Sequence, residues 1–99
     1  MKTVEQLLKE RNAHMMLVRT SGESFQGQIL RPEMDLNAFG QALRLRLNLE
    51  GPMLRIVLDD KDSRQRLTDS KVSVTDSVVK FSLAIDTLEL IIELDAAHA

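Results

Sequence analysis

Residues 43–59 constrain this chain more than any other stretch. They read Leu-Arg-Leu-Arg-Leu-Asn-Leu-Glu, then Gly-Pro, then Met-Leu-Arg-Ile-Val-Leu-Asp. Strand side chains alternate between two faces, so the pattern spells a two-faced β-hairpin. With the turn at Gly51 and Pro52, Leu49 faces Leu54, Leu47 faces Ile56 and Leu45 faces Leu58. The same register sets Asn48 opposite Arg55 and Arg44 opposite Asp59 on the other face. A slip of one residue would set leucines against charges, which specifies the register. Gly51 supplies the positive φ of a tight turn before proline.

A chain of 99 residues has room for one core, hence one domain. No apolar run approaches the roughly 20 residues of a membrane span, and the N-terminus has no apolar signal core. Cysteine is absent, which excludes disulfides, thiolate chemistry and Cys-based metal sites. A cytoplasmic protein that does not enter the membrane is the expectation. The net charge of −2 gives no general attraction to nucleic acid, so only a local basic patch would supply one. With no Trp or Tyr and only Phe25, Phe39 and Phe81, base stacking has few platforms.

Thr3 and Gln6 form a capping box, and Val4, Leu7 and Leu8 follow at helical spacing, which predicts a helix over residues 4–12. Residues 15–20 and 24–30 read as strands around turn chemistry at Ser21, Gly22 and Glu23. Gly27 falls inside the second, where a bend or bulge is expected. In residues 31–40, punctuated by Pro32, Asp35 is placed to cap one helical turn carrying Leu36 and Phe39. After the central hairpin come a polar connection, a short strand with Val72 and Val74 inward, and a strand with Val79, Phe81, Leu83 and Ile85 on one face. Leu45, Leu47, Ile56, Phe81 and Leu83 are the expected core. Residues 87–95 alternate as a strand. Asp86 with Glu89 also spells a capping box, and Leu88, Ile91 and Ile92 share a helical face, so both readings stand. Residues 96–99 are expected to fray. One helix and about seven short strands predict an α+β fold: an N-terminal helix followed by a mainly antiparallel, strongly curved sheet or small β-barrel.

Chemistry-bearing residues are sparse. His14 and His98 have no second ligand at metal spacing, so no metal site is expected. Asp59, Asp60 and Asp62 lack the Gly and terminal Glu of a calcium loop and read as a solvated hairpin end. No nucleophile motif and no phosphate-cradling glycine loop occurs, and nothing calls for a cofactor. Arg44, Arg46 and Arg55 share the outer face of the central hairpin, where guanidinium groups suit phosphates or carboxylates. Asp59 and Glu50 lie on that face too, so a salt-bridge-laced exterior is the plainer reading.

In the N-terminal third, Leu8-Lys-Glu-Arg11 leads into a strand, and Gly22-Glu-Ser-Phe-Gln-Gly27-Gln-Ile29 follows. This resembles the Sm/Hfq family of small RNA-binding barrels, with Ile29, Glu33, Leu36 and Asn37 at the offsets of its first motif. The resemblance implies single-stranded RNA as partner, a rim contact from Lys9 and Arg11, and a base contact from Asn37. The expectation is therefore a non-catalytic binding module that forms a homo-oligomer. Sm/Hfq-like RNA binding and a protein-interaction or assembly adaptor without nucleic acid are its two forms. A small enzyme domain is the third class.

Overall fold

The computed structural model describes residues 2–97. The expectations for His98 and for the end of the tail lie outside the described residues. Helix α1 spans Val4–Glu10, shorter than the 4–12 that the periodicity predicts. Both arms of its capping box form: Gln6 N–H donates to the Thr3 hydroxyl, and Thr3 N–H to the Gln6 side chain. Asn12 stops the helix in the left-handed region at φ 46°, which Asn tolerates better than most residues.

Eight strands follow: β1 His14–Arg19, β2 Ser24–Gln28, β3 Glu33–Ala38, β4 Gln41–Glu50, β5 Met53–Asp60, β6 Arg66–Ser73, β7 Val79–Ile85 and β8 Leu88–Leu94. The β4–β5 register matches the sequence reading pair for pair, and Gly51 takes φ 62° in its turn. Residues 88–94 resolve as strand. Asp86, at φ 51°, makes the tight β7–β8 turn rather than a helix cap.

The expected α+β arrangement with a strongly curved sheet or small barrel does not form. The molecule is mostly β, with two four-stranded antiparallel sheets, neither closed nor strongly curled. The first sheet has the order β2-β1-β8-β7 and the second β3-β4-β5-β6. Two connections keep them apart. Ile29 N–H still donates to the Ala13 carbonyl beside the first sheet, and the Pro32 carbonyl already accepts from Leu47 of β4, so the chain crosses to the second sheet between them. Residues 74–78 cross back. Gly27 makes no barrel-closing bend; it pairs in regular register with Met15.

Two further expectations change. Asp35 caps no helical turn, because Met34, Leu36 and Ala38 alternate inward along β3. Phe81 and Leu83 are half-buried, because β7 is the outer strand of its sheet and has a neighbour on one side only.

One core joins the sheets: Leu17, Leu90 and Ile92 from the first meet Leu43, Leu45, Ile56 and Leu58 from the second. Leu7 and Leu8 of α1 close one end of it. Arg19 lies over the Phe39 ring at 5.2 Å, a cation–π contact from the first sheet to the β3–β4 turn.

Candidate functional site

The outer face of the second sheet carries most of the charge. Pairing places Glu33, Asp35 and Asn37 of β3 beside Arg46, Arg44 and Ala42 of β4. It then sets Arg44, Arg46 and Asn48 beside Asp59, Val57 and Arg55 of β5. The ladder shifts between Leu58 and Asp59, so Asp59 lies opposite Arg66 rather than Leu67. That bulge turns Arg66 outward and leaves Leu67 packed against the core.

Carboxylates hold the cations in place. Arg55 grips Asp69 with two parallel bonds, Nε to Oδ1 at 2.8 Å and Nη2 to Oδ2 at 2.7 Å. Arg46 donates to Asp59, and Arg66 bridges Asp59 and Asp69. Arg44 and Lys61 both hold Asp35, each at 3.0 Å, and Lys71 holds Glu50 at 2.8 Å. These bonds depress four carboxyls below their ordinary range: Asp35 through Arg44 and Lys61, Asp69 through Arg55, Glu50 through Lys71, and Asp60 through the Gln41 amide. The same contacts raise the Arg44 and Arg55 guanidinium groups further.

Between the ion pairs lies an open cleft of about 350 Å³. Arg46, Arg55 and Arg66 line it with Asn48, over an apolar base that includes Val57, and Glu33 is its one carboxylate among the described residues. The Nε of Arg46 is buried and has no hydrogen-bond acceptor among the described residues. The carboxylate partners use only part of each guanidinium's five donors, so the arginines are oriented without being saturated. An anionic group of modest size fits this chemistry.

Of the residues singled out in the sequence, the structure brings Arg46 and Arg55 together and places Arg44 in a neighbouring hollow with Lys61 and Arg64. Sequence reading missed Arg66, because the bulge that aims it outward leaves no mark in the alternation. Asn37 is exposed on the same face, at its outer strand. Lys9 is exposed on α1. Arg11 is 3% exposed; its Nε donates to the Asp95 carbonyl and its Nη2 to that of Ser77 at 2.7 Å. It ties the helix end to the last strand and offers no free surface to a phosphate.

On the first sheet, His14 and Glu93 are direct partners across β1 and β8, and Asp95 follows two residues on. One ligand atom from each lies within 4.8 Å of the others, a grouping that local spacing around His14 did not reveal. No protein-family model, curated protein or solved structure matches the chain.

Proposed function

We propose that the protein is a non-catalytic binding module, an interaction adaptor that takes a carboxylate-bearing segment of a protein partner into the arginine-lined cleft. The observation that carries this reading is the convergence of Arg46, Arg55 and Arg66 on a cleft with a single carboxylate in its wall. Its size falls within the roughly 300–1,000 Å³ of ordinary ligand sites. Holding the guanidinium groups with Asp59 and Asp69 lowers the entropy lost when they engage a ligand. Among the described residues, no Ser, Thr, His or Lys lines the cleft to act as nucleophile or base.

RNA, the ligand implied by the Sm/Hfq resemblance, draws less support. Arg11 is committed to two backbone carbonyls, which leaves Lys9 and Asn37 of that expected set. Self-association belongs with the adaptor reading, since β2, β7, β3 and β6 are the outer strands of their sheets among the described residues and offer an edge to a second copy.

Fluorescence anisotropy with a glutamate-rich peptide and with A-rich and U-rich single-stranded RNA tests the choice. Peptide binding that weakens at least about tenfold in Arg55→Glu supports the adaptor, a loss typical of one charged contact. Salt-sensitive RNA binding that weakens in Lys9→Ala and survives Arg55→Glu overturns it. Sedimentation equilibrium of the same sample reports whether the partner is another copy.

A further inference from the structure

The geometry points to a divalent metal site of the zinc type at His14, Glu93 and Asp95, separate from the arginine cleft. Its three ligands come from opposite ends of the chain. The β1–β8 ladder sets His14 directly beside Glu93 on the outer face of the first sheet, and Asp95 has the same parity as Glu93. All three side chains are partly buried, and their donor atoms lie within 4.8 Å of one another. Tetrahedral zinc at bond lengths near 2.1 Å would draw such atoms to roughly 3.4 Å. His14 Nε2 and Glu93 Oε1 already stand at that spacing, 3.4 Å apart, so the adjustment left is a turn of the Asp95 carboxylate toward them.

The surroundings already fix the ligands. The Nδ1 of His14 lies 2.9 Å from the Asn12 carbonyl, which can only accept, so Nδ1 carries a proton. In the neutral ring Nε2 then holds the free lone pair, the arrangement of a metal-binding histidine oriented by a backbone carbonyl. That lone pair faces Glu93 Oε1 at 3.4 Å. Two acceptors facing each other at that distance can hold a cation between them. Asp95 is held on three sides. Its N–H donates to the Arg11 carbonyl at 2.8 Å, its carbonyl accepts from Arg11 Nε, and its carboxylate accepts from Asn12 Nδ2 at 3.0 Å.

One imidazole nitrogen and two carboxylate oxygens make a borderline donor set. It suits zinc or cobalt better than calcium, which needs six or more oxygens. Water completes the coordination on the open side. The ion would clip the first strand to the end of the last.

Calorimetric titration of the full chain with zinc chloride tests this, with cobalt absorption reporting the geometry. The expected result is one zinc per chain at micromolar affinity, weakened at least about tenfold in His14→Gln and in Glu93→Gln and unchanged in His98→Ala. The thermal midpoint should rise with added zinc in the wild type and not in His14→Gln. Three results overturn the site: no saturable binding below millimolar zinc, binding lost in His98→Ala but kept in His14→Gln, or equal calcium binding indifferent to His14→Gln. Circular dichroism confirms that each variant is folded.

Discussion

Arg11 shows how one side chain can hold distant parts of a small β protein together. A guanidinium that is 3% exposed cannot shed its charge, so its hydrogen bonds must offset the cost of burial. Here the acceptors are the carbonyls of Asp95 and Ser77. Arg11→Ala strands both, and urea unfolding should show a loss of about 3 kcal/mol, the cost of removing charged hydrogen bonds from buried acceptors. Arg11→Lys should recover little of it, because an ammonium lacks the fork that spans two carbonyls. A loss below about 1 kcal/mol in Arg11→Ala would contradict the clamp. The sequence places Arg11 correctly at the helix end. Its role depends on Asp95 and Ser77, whose proximity no local pattern encodes, and His14 is illegible for the same reason: its neighbours Glu93 and Asp95 arrive through the fold.

Elements were legible where a single periodicity was at work. The β4–β5 hairpin alternates at every position but Val57, so its register could be read residue by residue. In β3 two signals compete: Asp35 as a helix cap, and the inward alternation of Met34, Leu36 and Ala38. Pairing with β4 decides for the strand. In β6 the bulge opposite Asp59 exchanges Leu67 for Arg66, a choice made by tertiary contacts. The ion pairs that lace these strands make stability depend on acid. Asp35, Asp69, Glu50 and Asp60 have folded-state carboxyls held below their unfolded values, mainly by Arg44, Arg55, Lys71 and Gln41 in turn. Their contribution is therefore present above about pH 4, the ordinary carboxylate range, and is lost as pH falls through the depressed folded values. The thermal midpoint should fall as acid is added below about pH 4, less steeply in Asp69→Asn and less steeply again in high salt. A midpoint that stays flat from about pH 5 to about pH 2 would show that these pairs contribute nothing to folding.

At the scale of the whole molecule, the two sheets present different exteriors. The first shows half-buried Met16, Val18 and Ile91 among polar neighbours. The second shows the interlocked charges and the cleft. A run of hairpin-linked strands could be read from the chain, but how they divide into sheets could not. The division follows from the chain changing sheets between Ile29 and Pro32 and from β8 returning to β1, the pairing most distant in sequence. The barrel suggested by Gly27 fails because, among the described residues, β2 forms no ladder with β3, nor β6 with β7. The arginine cleft of the second sheet is the binding face we propose. Titrating the isotopically labelled protein with a glutamate-rich peptide and following its backbone amides by NMR tests this most directly. The expected shifts concentrate at Arg46, Asn48, Arg55, Val57 and Arg66, with Met16 and Ile91 on the opposite face unmoved. Saturating peptide that leaves the cleft amides in place, or moves only those of the first sheet, would contradict it.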